Sequence, residues 1–252
     1  MERYQSAVLQ EVRPLARDTF LYVLSVATPI AFEPGQFVNI AIPKSGPRGE
    51  RSYSVWSDPA SSQLEFAIKL FPGGQASEYL RSVRPGTPFS IRGPFGHFQL
   101  CADEPEVGQP EVGQPEVGQP KVGQPKVGQA AHWFLATSTG LAPFQSMLSA
   151  AARTGDPRRF RLLFGCRDEA DIFAVERLEY FKSALDFAYT ICLSGPNPGP
   201  NYAAGRITAH LPTPTSGDHY YLCGNGMMIA EAREKLKATG LDRKRIHFEK
   251  YW

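Results

Sequence analysis

The chain has little of what marks several protein classes. Its four cysteines, Cys101, Cys166, Cys192 and Cys223, are far apart and form no C-x-x-C pair. That spacing argues against a zinc site, a disulfide framework and an iron–sulfur cluster. No run approaches the roughly eighteen apolar residues that a membrane helix needs, and residues 1–5 are polar, unlike a signal segment. We therefore expect no metal, no membrane span and a cytoplasmic location.

The chain also lacks a strong excess of charge of either sign. A formal net charge of +2 over 252 residues excludes strong generic attraction to nucleic acid. A length of 252 residues is long for one core and suits two domains. Because no closely spaced thiolates are present, a protein of this sequence that handles single electrons must pass them to a separate partner.

Residues 1–100 contain short strand-like runs separated by proline- and glycine-rich turns. The runs are 5–12, 19–25, 37–42, 51–55, 64–70 and 88–92, with one short helix predicted at 76–82. Six strands of this length predict a small antiparallel β-barrel.

The pattern changes in residues 131–252, where apolar runs alternate with helical stretches. Buried strands are predicted at 132–136, 161–165, 187–193 and 219–223, and helices after the first strand and at 175–184 and 227–239. Alternating strands and helices predict a parallel α/β sheet.

Five tandem pentapeptides separate the two halves, over residues 105–129. Three copies read Pro-Glu-Val-Gly-Gln and two read Pro-Lys-Val-Gly-Gln. A proline and a glycine in each copy oppose helix and strand, and one valine per copy cannot build a core. We predict a barrel domain at 1–102, a disordered linker or looped-out insertion at 103–130, and an α/β domain at 131–252.

Arg51-Ser52-Tyr53-Ser54, on a predicted barrel strand, has residue types that suit a flavin. A guanidinium can clamp a phosphate with two hydrogen bonds. A phenol ring offers a face on which the flavin ring can stack. A serine hydroxyl can donate to or accept from the edge of that ring.

Three further segments have turn chemistry that suits phosphate or nucleotide. Residues 72–77 place glycines before a helix, where the backbone can approach a diphosphate and the first N–H groups point at it. Residues 136–144 and 222–228 each join a predicted strand to a helix, the context in which α/β sheets bind nucleotides. The chain ends on Tyr251-Trp252, two aromatics that could stack on a flat ligand.

These segments, in this order, resemble the ferredoxin–NADP reductase family, and its bacterial members most. The resemblance covers residues 5–102 and 131–252, and it implies FAD as cofactor and NADP(H), or alternatively NAD(H), as substrate. The FAD contacts it implies are Arg51, Ser52, Tyr53, Ser54, Gly74, Gln75, Ala76, Ser77, Thr139, Tyr251 and Trp252. The nucleotide contacts it implies are Thr139, Gly140, Arg167, Ser194, Arg206, Cys223, Gly224 and Asn225. The catalytic residues it implies are Ser54, Cys223 and Glu249.

Two positions depart from the family pattern. Ser138 stands where a glycine is usual, and Ser194 is followed by Gly195 rather than by the basic residue of many NADPH-specific relatives. Arg167 and Arg206 match family positions for the 2′-phosphate of NADPH, which converging guanidinium groups hold best.

The resemblance implies hydride transfer from NADPH to flavin and single-electron transfer to ferredoxin or flavodoxin, by a monomer. Two alternatives stay open from the sequence. One is an NADH-dependent reductase component for a haem protein or an oxygenase. The other is a flavin-binding regulatory or scaffolding subunit.

Overall fold

The computed structural model describes residues 4–43, 49–101, 130–196 and 198–251, without the side chain of Tyr251. The pentapeptide repeat and Trp252 therefore lie outside the described residues. The longest helices of the described part have 13 residues each, and none of its helices is long and apolar enough to cross a bilayer.

Six antiparallel strands form the first sheet. They are β1 Gln5–Ala16, β2 Thr19–Val26, β3 Phe37–Ala41, β4 Glu50–Ser54, β5 Gln63–Lys69 and β6 Pro88–Phe95, with α1 Gln75–Ser82 before β6. The strand order is β4-β3-β6-β1-β2-β5. Directly after β4, the Trp56 N–H donates to the Glu65 carbonyl on β5 at 2.8 Å. This bond joins the two outer strands, so the sheet closes as the predicted antiparallel barrel.

Six parallel strands form the second sheet. They are β7 Ala131–Thr137, β8 Arg159–Cys166, β9 Phe187–Leu193, β10 Ala203–Ala204, β11 His219–Asn225 and β12 Ile246–Tyr251. The helices are α2 Ala142–Thr154, α3 Val175–Ala184 and α4 Gly226–Ala238. The order β10-β9-β8-β7-β11-β12 places β7 near the centre, with crossovers on both sides of it.

One of the three buried apolar clusters of the described residues contains side chains from both halves. The Trp56 ring, beside the barrel, lies 6.0 Å from Phe173, and the Phe98 ring lies 5.7 Å from Phe144 on α2. Burying an aromatic side chain of this size stabilises the packed state by about 1.5–3 kcal/mol. The barrel and the parallel sheet are thus held together by apolar packing.

Polar contacts fix how the two halves meet. The Ser146 hydroxyl on α2 donates to the Ser57 carbonyl at 2.7 Å, and both groups are buried. Arg153 Nε lies 3.1 Å from each carboxylate oxygen of Asp58. Because a hydrogen bond is directional and packing is not, these bonds set the orientation that the apolar contacts leave open.

The segment before Trp252 forms the strand β12. β12 pairs with β11 in parallel register, from Tyr220 opposite Ile246 to Asn225 opposite Tyr251. The sequence analysis assigned no strand to this segment, because its strand conformation depends on β11, more than twenty residues earlier. β10 was also not predicted, since two residues are too few to form a pattern.

Candidate active site at the junction of the two sheets

A cleft of about 430 Å³ opens at the carboxyl ends of the parallel strands, where doubly wound sheets bind ligands. Six of the eight predicted nucleotide residues line it, namely Thr139, Arg167, Ser194, Arg206, Gly224 and Asn225. The other two, Gly140 and Cys223, are buried. The structure therefore brings together, around one cleft, residues that are up to 86 positions apart.

The turn between β7 and α2 forms one wall of the cleft. A 3-10 turn at Ser138–Leu141 follows the strand, and Ser138 adopts a left-handed φ of 51°, the conformation that glycine tolerates best. A Cβ on Gly140 would lie 2.3 Å from the Cys223 carbonyl oxygen, so only glycine fits there. No side chain caps this 3-10 turn, so its first N–H groups suit an anionic ligand such as phosphate.

The turn between β11 and α4 forms the neighbouring wall. Gly224 has a φ of 126° and lies against Thr137, whose Oγ1 a Cβ on Gly224 would approach to 2.2 Å. The Asn225 N–H donates to that same Oγ1 at 2.8 Å. The Asn225 side chain accepts from the Met227 and Met228 N–H groups and so caps α4. These contacts tie the two glycine-containing turns together.

The guanidinium groups of Arg167 and Arg206 are exposed on the cleft wall, as a 2′-phosphate would need. Gly195 follows Ser194, and a Cβ on it would lie 2.6 Å from the Arg167 carbonyl oxygen. A basic side chain therefore does not fit at position 195 without a shift of the backbone. This packing explains the departure from the family pattern.

Two thiols, Cys166 and Cys192, lie on the floor of the cleft. Burial raises the pKa of Cys166 to about 12 and that of Cys192 to about 11. Both thiols therefore stay protonated at neutral pH, and neither is a nucleophile there.

Three charged residues that line the cleft, Lys69, Asp171 and Glu231, were not found from the sequence. Asp171 accepts hydrogen bonds from Arg17 at 3.0 Å and from Lys69 at 3.3 Å. Burial opposes its charge, but the Arg17 hydrogen bond and the Lys69 charge outweigh burial and lower the pKa of Asp171. No sequence signal connects Asp171 with residues 102 and 154 positions away.

The Arg51–Ser54 tetrapeptide lies on β4. Arg51 and Ser52 are exposed, and the Ser52 hydroxyl donates to Asn39 Oδ1 at 2.7 Å. Tyr53 packs on the barrel core, and burial raises its pKa to about 12, so the phenol keeps its proton. The strand thus presents an exposed guanidinium beside a fixed aromatic ring, which fits a flavin nucleotide.

The glycine-rich loop before α1 also suits a diphosphate. Gly74 is the N-cap of α1, and no side chain caps the helix, so the N–H groups around Gln75 and Ala76 suit an anion. The Ser77 hydroxyl accepts from the Phe71 N–H at 2.9 Å and holds the loop folded. In this structure Ser77 shapes the loop.

The three predicted catalytic residues meet where the sheets meet. Ser54 at the end of β4 donates from Oγ to Glu249 Oε2 at 2.9 Å, across 195 positions of sequence. Glu249 on β12 pairs with Cys223 on β11, and paired residues of parallel strands share a face. Burial raises the pKa of Glu249, and the Ser54 hydrogen bond lowers it by less. The Cys223 side chain is fully buried.

Family models match both halves of the chain. An oxidoreductase FAD-binding domain matches residues 6–100, and an oxidoreductase NAD-binding domain matches residues 134–234. The chain is 33% identical over 232 residues to ferredoxin–NADP reductase B of Sorangium cellulosum, covering 87% of this chain and 85% of that protein. It is 29% identical to the toluate 1,2-dioxygenase electron transfer component of Pseudomonas putida, covering 98% of this chain and 67% of that protein.

Solved structures have the same two-sheet arrangement. A cytochrome P450 reductase from Amycolatopsis superimposes with a TM-score of 0.80 at 26% identity, covering 98% of this chain and 69% of that one. A ferredoxin NADP⁺ reductase from Neisseria gonorrhoeae with bound FAD and NADP gives a TM-score of 0.77 over the whole of both chains, and at 17% identity it supports the fold alone.

The fold, the cleft and these matches define a flavoprotein oxidoreductase with an FAD-binding barrel and an NAD(P)-binding parallel sheet. The chain belongs to the ferredoxin–NADP reductase family.

Proposed function

We propose that this protein oxidises NADPH and delivers the electrons singly to a ferredoxin or a flavodoxin. The observation that carries the proposal is the 2.9 Å contact between Ser54 and Glu249. It joins the strand with the flavin-type tetrapeptide to the edge strand beside the nucleotide cleft. A flavin and a nicotinamide bound there supply the hydride and electron transfer chemistry.

The residues of the chain bind and orient these groups. Arg51 and the uncapped start of α1 would hold the FAD diphosphate, and Tyr53 would support the ring. Thr139, Gly140 and the Gly224–Asn225 turn would hold the nicotinamide nucleotide. Tyr251 and Trp252 remain predicted FAD contacts.

Ser54 and Glu249 are proposed to handle the proton of the reaction. The Ser54 Oγ–H already donates to Glu249 Oε2, so a proton can move between these two atoms without diffusing through the protein. The raised pKa of Glu249 brings its titration toward the working pH. Cys223 is proposed to position the adjacent turn, because its backbone packs on Gly140.

The preference for NADPH rests on Arg167 and Arg206, which line one cleft. The measurement is steady-state turnover with NADPH and with NADH. Arg206→Ala should raise KM for NADPH about tenfold or more, since one charge-assisted contact contributes roughly 1.5–3 kcal/mol. KM for NADH should not change.

The matched control for that experiment is Arg243→Ala, an exposed arginine in the 3-10 turn before β12. Arg243→Ala should leave KM for NADPH and KM for NADH unchanged. Equal changes of KM for both nucleotides in Arg206→Ala would contradict the assignment of Arg206 to the 2′-phosphate.

A second candidate function is an NADH-dependent reductase for an oxygenase or a haem protein. Gly195 favours it, because the packing of Gly195 on Arg167 excludes the basic residue that many NADPH-specific relatives have after the serine. Its relative in Pseudomonas putida is a dioxygenase electron transfer component. A lower KM for NADH than for NADPH would favour this candidate.

Anaerobic titration distinguishes both from a regulatory subunit. Bleaching of the flavin absorbance by either nucleotide indicates a reductase, and an unchanged spectrum with both indicates a non-catalytic flavin. Added ferredoxin or flavodoxin should then reoxidise the protein in one-electron steps.

We also propose a cytoplasmic monomer with domain boundaries at 1–102 and 131–252. Size-exclusion chromatography of the purified chain would test the oligomeric state, and limited proteolysis would test the boundaries.

A further inference from the structure

The end of the parallel sheet opposite the nucleotide cleft contains a cluster of ligand-type side chains. His219 begins β11, His247 is the second residue of β12, and Cys101 follows the first sheet. One ligand atom of each lies within 4.8 Å of the other two. All three side chains are partly exposed, so an ion from solvent can reach them.

The distances within the cluster match those between the ligands of one metal ion. Cys101 Sγ lies 3.5 Å from His247 Nε2, and His219 Nδ1 lies 3.2 Å from that same nitrogen. Zinc bonds of about 2.3 Å to sulfur and about 2.0–2.1 Å to nitrogen, at tetrahedral angles, place sulfur about 3.6 Å and nitrogen about 3.3 Å from a neighbouring ligand nitrogen. A thiolate and two imidazoles are ligands that Zn²⁺ prefers.

Aromatic stacking orients the two histidine rings before any ion binds. The His219 and His247 rings are 11° from parallel with centroids 5.5 Å apart. The Tyr221 ring stacks on His247 at 4.7 Å, and the Cys101 N–H donates to the Tyr221 hydroxyl at 3.1 Å. Ligands fixed by their neighbours lose little freedom on binding, which favours a preformed site.

Arg245 sets the tautomer of His219. Its Nη1 lies 2.8 Å from His219 Nε2, and a guanidinium can only donate. Nε2 is therefore the acceptor, and the proton of His219 is on Nδ1, toward His247. Coordination through Nδ1 moves that proton to Nε2, so Arg245 must turn away toward its other acceptor, the Gly217 carbonyl at 3.0 Å.

We propose that Cys101, His219 and His247 form a Zn²⁺ site, with Arg245 as an intramolecular competitor of the ion. Three protein ligands bind the metal, and water completes the tetrahedron. Zn²⁺ replaces the thiol proton of Cys101, which is released to solvent. The bound ion ties the segment after the barrel to β11 and β12. His247 is two residues from Glu249 on β12, so both side chains lie on one face of the strand.

The test is titration of the FAD-loaded protein with Zn²⁺ by calorimetry, and with Co²⁺ by absorbance at wavelengths longer than the flavin bands. We expect one ion per chain and a thiolate–cobalt spectrum. Cys101→Ser and His247→Gln should each weaken Zn²⁺ binding at least about tenfold. The control His97→Gln, an exposed histidine outside the cluster, should bind as the unaltered chain does.

Arg245→Met is expected to gain affinity for Zn²⁺, and a variant that fails to fold would not show such a gain. Removing the competing donor should strengthen Zn²⁺ binding about tenfold. The thermal unfolding midpoint should rise with Zn²⁺ in the unaltered chain and in His97→Gln, and not in Cys101→Ser. Zn²⁺ binding no stronger than that of a Cys101→Ser/His247→Gln double variant, or an unchanged affinity in Arg245→Met, would overturn the proposal.

Discussion

Glu249 is partly buried and Asp171 is buried, and both lie in the candidate active-site region, yet their pKa values move in opposite directions. Glu249 lies at the junction of the sheets with a neutral hydroxyl as its hydrogen-bond donor, and burial raises its pKa. Asp171 lies on the cleft wall with two cations, Arg17 and Lys69, and its pKa is lowered despite burial. The hydrogen-bond partners cause the opposite shifts, because burial by itself raises the pKa of both carboxyl groups.

This difference separates the chemistry of the two regions. The junction keeps a carboxylate that can hold or release a proton, which suits a step that moves one. The cleft wall holds a carboxylate whose lowered pKa favours the ionised form, and its ion pairs with Arg17 and Lys69 link the barrel to the parallel sheet. The two carboxyl groups therefore differ in how readily they take up a proton.

The largest expected effect comes from removing the titratable carboxyl group of Glu249 at the junction. Glu249→Gln keeps the shape of the side chain and its ability to accept from Ser54, but it cannot titrate. We expect turnover to fall about 100-fold, the usual loss for a general acid or base, with little change in nucleotide affinity. Stopped-flow kinetics and equilibrium binding measure these two quantities.

The control for this variant is Glu176→Gln, an exposed glutamate at the start of α3. Stability gives an independent readout of Glu249. Because its folded pKa is raised, its stabilising contribution is present below the unfolded pKa and is lost as pH rises through the folded pKa. Glu249→Gln should remove this loss. Turnover and a stability profile equal to those of the unaltered chain would contradict the role of Glu249.

An intermediate effect is expected at the charged site. Asp171→Asn leaves Arg17 and Lys69 without their shared carboxylate, and Arg17 is half exposed, so solvent screens part of the loss. We expect the free energy of unfolding at neutral pH to fall by about 1–2 kcal/mol. Because the folded pKa is lowered, this stabilisation is present above the unfolded pKa and lost as pH falls through the folded pKa.

Urea unfolding at several pH values tests this prediction. The unaltered chain and Asp171→Asn should converge in stability on acidification. Asp168→Asn is the matched control, because Asp168 also pairs with Arg17 but is 41% exposed. Its effect should be smaller, and an equal effect would show that burial of Asp171 does not matter.

The smallest effect is expected at Ser138, in the turn between β7 and α2. Ser138 has a φ of 51°, and Ser138→Gly should raise the free energy of unfolding by about 0.5 kcal/mol, because strain of about 1–2 kcal/mol is partly offset by the added freedom of the unfolded chain. Ser183→Gly, in the last turn of α3, should instead destabilise. Destabilisation by both substitutions would show that Ser138 is not strained.

Local patterns predicted the parts of the fold that depend on neighbouring residues. The six barrel strands, the α/β alternation and helices such as α3 are confirmed, because turn residues and apolar spacing are local properties. β12 was not predicted, since it depends on pairing with β11. Six residues that the motifs and the family resemblance suggested line the cleft, whereas the salt bridges of Asp171 followed from no motif.

The sequence by itself determined that a barrel precedes an α/β sheet, and which turns have phosphate-type chemistry. Only the tertiary structure decided that Ser54 meets Glu249, that Cys223 is buried, that position 195 has no room for a side chain, and that Cys101 meets two histidines. The physical reason is the distance along the chain over which each effect acts. Turn and strand preferences act over a few residues, whereas pKa shifts, steric exclusion and ligand clusters depend on groups that only folding brings within a few ångströms.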